Sequence, residues 1–213
     1  MSEKFGEFTP KSPEIEQAEK VSACLENLFA GKEPSGRFES YLFWEMEKVF
    51  VEPSPADPGT PKETMQRNAH HEVLSVIEKA GNKPELSAAE QEIMEKLGKY
   101  FTGAIKRTGW IENGREAIGF LEHIPSKESV SALEKLSRAP LSVIEPKEKS
   151  ISRMNPFLKT LSRGISPEEA IRNYIEQIIK PEALRSLIIL KNKMGLNLTP
   201  EEKEYFEKHT EKF

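Results

Sequence analysis

Thr199-Pro200-Glu201-Glu202 is the clearest of several short stretches in this chain that mark the start of an α-helix. A threonine hydroxyl at the N-cap accepts a hydrogen bond from the backbone N–H three residues later, and the glutamate at that third position accepts one from the cap's own N–H. Proline suits the first helical position, because the amide hydrogen that it lacks would have no partner there. The stretch therefore predicts a helix that begins at Pro200.

The same capping pattern occurs at three other places. They are Thr60-Pro61-Lys62-Glu63, Ser87-Ala88-Ala89-Glu90 and Ser166-Pro167-Glu168-Glu169. Two further starts, at Ser12-Pro13 and Asn155-Pro156, have the cap and the proline without the glutamate. Each cap contributes on the order of 1 kcal/mol and fixes where its helix begins. The chain is thus divided into helices by residues that need no tertiary contact to act.

The residues between these starts have the spacing of helices. Apolar side chains recur every three or four positions, which is the pattern of one buried face. Of 35 acidic residues Asp57 alone is an aspartate, and glutamate is the better helix former of the two. We therefore predict an all-α fold, an irregular multi-helix bundle of about nine or ten short capped helices in as many as two lobes. Asn113-Gly114 is expected to form a turn, and Pro181 to break or kink the helix that starts at Pro167.

Composition suggests how the chain is organised into domains. Residues 1–11 lack periodicity and are predicted to be flexible. Residues 12–138 form a predicted N-terminal helical domain that contains a proline-rich loop at 52–60. Residues 139–150 are predicted to be an extended connector, since a residue before proline is disfavoured in the helical region. Residues 151–213 form the predicted C-terminal helical subdomain.

Charge and composition exclude several classes of protein. The net charge of −4 is not the strong positive balance of a nucleic-acid-binding protein, so a nucleic-acid partner is not expected. No apolar run approaches the roughly 18 residues of a membrane span, and the N-terminus predicts no signal peptide. The single cysteine, Cys24, provides no disulfide framework and is expected to be a buried, unreactive thiol. These features predict a soluble, cytoplasmic protein that does not bind membranes.

His70-His71-Glu72 is the first candidate for catalysis. The His-Glu-x-x-His zinc motif places two histidines one helical turn apart, but Ser75 stands where the second would be. Adjacent histidines on a helix point about 100° apart, which is a poor chelating geometry. We predict no metal site here, and no nucleotide-binding or nucleophile motif is present elsewhere, so no catalytic residue and no cofactor are expected. The alternative is a metal-dependent or glutamate/histidine enzyme with a pocket around these three residues.

A basic segment at residues 147–163 is the second candidate. Its positive side chains are interleaved with apolar ones, which is typical of a surface for phosphate or nucleic acid. The simpler interpretation is a solvated face that balances the first 60 residues, where twelve acidic residues stand against six basic ones. The basic residues of the segment are Lys147, Lys149, Arg153, Lys159 and Arg163.

The aromatic helix predicted from about Arg37 to Val51 is the third candidate. Its apolar side chains point nearly all the way round the helix axis, so the helix is either central to a core or covered by a partner. We take Phe38, Tyr41, Phe43 and Trp44 as the partner-binding residues. The leading hypothesis is a non-enzymatic helical module that binds another protein through an apolar groove between helices. A further alternative is an exported bacterial effector, since the glutamate-rich segment 201–213 resembles the export tails of some effectors.

Overall fold

The computed structural model describes residues 11–32, 38–50, 61–108, 110–138 and 165–209. Every regular element within these ranges is helical, which confirms the all-α prediction. None of the helices described there is both long and apolar enough to cross a membrane. The helices are α1 (Pro13–Phe29), α2 (Phe38–Phe50), α3 (Pro61–Gly81), α4 (Ala88–Thr108), α5 (Trp110–Glu122), α6 (Lys127–Arg138), α7 (Pro167–Tyr174), α8 (Lys180–Lys193) and α9 (Pro200–Lys208).

The predicted caps determine where four of these helices begin. Ser12 Oγ accepts the backbone N–H of Ile15, and Ser166 Oγ accepts that of Glu169 at 3.1 Å. The boxes at Ser87 and Thr199 are closed in both directions, with hydroxyl and carboxylate each accepting a backbone N–H. The starts predicted at Thr60 and Asn155, the segment 1–10, the loop 52–60 and the helix 155–164 lie outside the described residues.

One predicted turn is wrong. Asn113-Gly114 does not form a turn but lies inside α5, whose later residues Ile118 and Leu121 are fully buried. Glycine costs a helix only about 1 kcal/mol relative to alanine, which is less than burying two such side chains contributes. Tertiary packing thus overrides the local preference of this dipeptide.

The helix that starts at Pro167 does not end at Pro181. A π-helical turn, Ile175–Ile179, joins α7 to α8, and the backbone N–H of Lys180 reaches back to the carbonyl of Ile175. In a regular α-helix the ring of Pro181 would crowd the carbonyl of Gln177 and offer it no donor. A wider turn relieves that contact, so the chain stays helical while Ile175 and Ile179 are fully buried.

The described residues belong to two compact units, one up to Val76 and the other from Ile77 onward. The division falls within the continuous helix α3. The connector predicted at residues 139–150 lies outside the described residues. Helix α6, which precedes it in the chain, packs against α8, which follows it after α7, in the second unit.

The first unit is built on the packing of α1 against α2. Ala18, Val21 and Leu25 recur at helical spacing along one face of α1 and are buried. From α2, Leu42 and Met46 are buried one turn apart. These positions define which side of α2 is inward.

The second unit is organised around α8. This helix packs against α5 and α6, and α4 packs against the same two helices. Phe101 of α4 stacks on Phe120 of α5 with ring centroids 4.6 Å apart. Leu187 and Ile188 of α8 are fully buried.

The contact between α4 and α6 is close because of one glycine. A Cβ atom at Gly98 would lie 2.2 Å from Ser126 Oγ, so no larger residue fits without a shift. Ser126 caps α6 by accepting the N–H of Ser129, and the two hydroxyls bond to each other at 2.7 Å. The buried hydroxyls are thereby satisfied inside an otherwise apolar interface.

Candidate functional site

The outward face of α2 carries the largest exposed apolar side chain of the described residues. Trp44 is 51% exposed, while Leu42 and Met46, on the opposite side of the helix, are buried. At 100° per residue, Trp44 points about 180° away from the middle of that buried side. The ammonium of Lys48, one turn later, lies 3.0 Å from the centroid of the indole ring. We name this face, formed by Trp44 and Lys48, the Trp44 surface.

Two charged groups, of Lys48 and Glu45, lie in a row beside the indole ring. Lys48 Nζ lies 3.7 Å from a carboxylate oxygen of Glu45, whose side chain is nearly buried. The ammonium therefore sits between the ring, which attracts it through its electron-rich face, and a carboxylate behind it. This arrangement holds Lys48 over one face of the indole ring, while about half of the Trp44 side chain stays exposed to solvent.

The other aromatic residues predicted on this helix are placed differently. Phe43 is half-buried, so it does not share the exposure of its neighbour Trp44. The side chains of Phe38 and Tyr41 lie outside what the structure describes, although their backbones belong to α2. Of the two predicted partner-binding residues whose side chains the structure describes, Trp44 is thus the one placed outward.

His70, His71 and Glu72 lie on α3 in the first unit. His71 and Glu72 are exposed, whereas His70 is half-buried. Burial, together with the neighbouring His71, lowers the pKa of His70 to about 4, so its imidazole is neutral at pH 7. Within the described part of the chain, no group of three histidine, cysteine or acidic side chains could hold a metal ion.

Cys24 on α1 is half-buried rather than fully buried. Burial raises the pKa of its thiol, and the carboxylate of Glu45 raises it further. A thiol whose pKa is raised is a weak nucleophile at neutral pH, because the thiolate is the reactive form. The basic segment from Lys147 to Arg163 lies outside the described residues and stays a prediction.

The second unit contains a buried charged cluster that the sequence did not predict. Glu202 of α9 is fully buried, and its Oε1 accepts hydrogen bonds from Arg138 Nη2 at 2.7 Å and from Lys191 Nζ at 2.9 Å. Its Oε2 accepts the backbone N–H of Thr199 at 2.8 Å. Lys191 also pairs with Glu134 at 2.8 Å. We name these five residues the Glu202 cluster.

The Glu202 cluster is electrically balanced and brings three helices together. Arg138 and Glu134 come from α6, Lys191 from α8 and Glu202 from α9. Burial alone would raise the pKa of Glu202, but the Thr199 N–H, Lys191 and Arg138 together lower it below its ordinary value. Burial likewise opposes the charge of Lys191, and the two carboxylates outweigh it and raise that pKa. The two buried charges, Glu202 and Lys191, are therefore stable in their ionised forms at neutral pH.

One signal in the sequence points toward this cluster. Lys191 follows Leu187 by one helical turn, on the face of α8 that is otherwise apolar. A lysine in such a position needs an acidic partner when it is buried. The sequence does not identify that partner, because Lys191 pairs with Glu202 of the next helix and with Glu134 of α6, and no local pattern relates these residues to it.

Comparisons with known proteins add no family to this description. No family model matches the chain, and the searches of curated proteins and of solved structures found no match either. The chain is therefore characterised by its fold class, an all-α multi-helix protein, and by the two features described above.

Proposed function

We propose that this protein is a helical module that binds another protein through the Trp44 surface. The observation that carries the proposal is the exposure of Trp44, opposite the side of α2 that packs on α1. A large indole ring left half in water gains free energy when a partner covers it. Tryptophan is also among the residues most enriched at the energetic centres of protein interfaces.

The chemistry of this face indicates the kind of partner surface that fits it. The exposed part of the indole ring fits an apolar pocket, and the Lys48 ammonium over one face of the ring fits a carboxylate at the rim of that pocket. Lys48 already rests on the ring and beside Glu45, so little side-chain entropy is lost on binding. A single half-buried cysteine is in keeping with action in the reducing cytoplasm, which is the location that we propose.

Affinity capture from cells that express the protein, followed by titration of the purified partner, tests this function. We expect the partner to be retained by the wild-type chain and lost by Trp44→Ala. Truncation of a central aromatic residue costs at least about 2 kcal/mol of binding, or roughly 30-fold in Kd. Leu196→Ala is the matched control, because Leu196 is 43% exposed but lies in the second unit.

The stability of the variant must be measured alongside its binding. Trp44 is only half-exposed and holds Lys48 over its ring, so Trp44→Ala is expected to lower the free energy of unfolding by about 1–2 kcal/mol in urea. A partner that binds Trp44→Ala as tightly as it binds the wild type would refute the proposed function.

A further inference from the structure

Helix α9 has one fully buried side chain among its described residues, and that side chain is charged. Glu202 is buried, while Tyr205 and Phe206 are half-buried. A helix usually docks through a stripe of fully buried apolar side chains. In α9 a buried carboxylate with donors from α6 and α8 contributes to the docking beside the two half-buried aromatic side chains.

The C-terminal end of α8 is stabilised by backbone hydrogen bonds that do not involve α9. Gly195 adopts a φ of +65°, which glycine reaches without strain, and its N–H bonds to the carbonyl of Asn192. The N–H of Leu196 bonds to the carbonyl of Lys191 at 2.9 Å, which completes a Schellman motif. The backbone of α8 is thus closed locally, and removal of α9 would leave these bonds in place.

The start of α9 is equally local. Thr199 and Glu202 form a capping box, so the first backbone donors are satisfied within the helix itself. With nine residues, however, α9 is too short to remain helical once it separates from α6 and α8. Undocking and melting of α9 are therefore expected to be one event.

We propose that α9 is a latch helix: it leaves its seat on α6 and α8 as a unit while the rest of the second unit stays folded, and the charge of Glu202 controls how often it does so. Opening of the latch uncovers Lys191 and removes Glu202 from the half-exposed Arg138. These two cations meet at one oxygen of Glu202 in the docked state. The proposal is independent of the function assigned to the Trp44 surface, which belongs to the first unit.

Amide hydrogen exchange of the full chain tests the latch directly. We compare the open states from which two sets of backbone amides exchange. The open state of residues 203–208 is expected to be at least about 100-fold more populated than the open state of residues 184–190 in α8. Equal opening populations for the two segments would overturn the proposal, because α9 would then open only with the whole unit.

The variant Glu202→Gln separates the charge from the cap. Glutamine can also close a capping box, so the local start of α9 is kept while the charge that faces Arg138 and Lys191 is lost. We expect exchange at residues 203–208 to become faster by on the order of 100-fold, with α8 amides unchanged.

The matched control is Glu204→Gln. Glu204 pairs with Lys208 on the surface of the same helix, so its neutralisation should leave exchange in α9 nearly unchanged. Three results with Glu202→Gln would overturn the proposal: no acceleration in α9, an acceleration matched by Glu204→Gln, or an equal acceleration in α8.

Discussion

Helices α4 and α9 begin with the same capping box, but the glutamates of the two boxes have different surroundings. Glu90 is bonded to Ser87 and to the partly exposed Lys83, seven residues away in the chain. Glu202 is bonded to its own cap and to cations of two other helices. The same local motif therefore begins a helix in one case and also fixes its position in the other.

The two roles of the glutamate, starting a helix and fixing its position, depend on different contacts. A capping bond joins residues three apart, so it acts wherever the pattern occurs. A tertiary ion pair depends on what the fold places opposite the glutamate. The comparison predicts that removing the cation should matter far more at Glu202 than at Glu90.

The largest expected effect is that of Lys191→Met. The change leaves the fully buried Glu202 with Arg138 as its remaining cation, and breaking a buried pair in this way costs about 3 kcal/mol. We expect that loss in the free energy of α9 docking, measured by amide exchange at residues 203–208. Lys83→Met at the other box should cost no more than about 1 kcal/mol at the start of α4. Similar losses of free energy at the two helices would contradict the proposed difference between Glu202 and Glu90.

Acid is expected to lower the stability of both capping boxes. Its bonds to Lys83 and Ser87 lower the pKa of Glu90 to about 2, and the pKa of Glu202 is lowered as well. A lowered pKa contributes stability that is complete above the unfolded value of about 4.3 and is lost as pH falls through the folded value. Amide exchange of α4 and α9 measured from pH 6 down to pH 2 should show both helix starts weakening. A helix start that is more stable at pH 2 than at pH 6 would contradict this.

Alkaline pH should act on α9 through Lys191. The raised pKa of Lys191 contributes stability that is complete below about 10.4 and is lost as pH rises through the folded value. We expect the tertiary contacts of α9, followed by NMR because amide exchange is too fast there, to weaken above that pH. The variant Lys191→Met should lack this alkaline transition.

The smallest expected effects are those of the caps themselves. Thr199→Ala and Ser87→Ala each remove one hydroxyl that accepts a backbone N–H, and each should cost about 1 kcal/mol in the stability of its helix start. Because this contribution is local, the two losses should agree to within about 1 kcal/mol. A loss at Thr199 as large as that of Lys191→Met would show that the cap, rather than the tertiary pair, holds α9.

The starts of α1, α4, α7 and α9 could be predicted from the sequence because every bond involved is local. The π-helical turn before Pro181 and the uninterrupted helix at Asn113-Gly114 could not, since burial of neighbouring side chains decided both. The apolar residues of α2 indicated a helix with apolar side chains on more than one face. Packing on α1 determines that Trp44 is the exposed one among the apolar side chains of α2 that the structure describes, and the sequence does not contain that contact in any local pattern.

A double-mutant cycle on each box tests most directly the claim that the two glutamates have different roles. The cycles combine Glu202→Gln with Lys191→Met, read at the amides of α9, and Glu90→Gln with Lys83→Met, read at those of α4. We predict a coupling free energy of about 1.5–3 kcal/mol for the first pair and no more than about 1 kcal/mol for the second, whose lysine is 44% exposed. Equal coupling energies, or a first value below about 0.5 kcal/mol, would contradict the account.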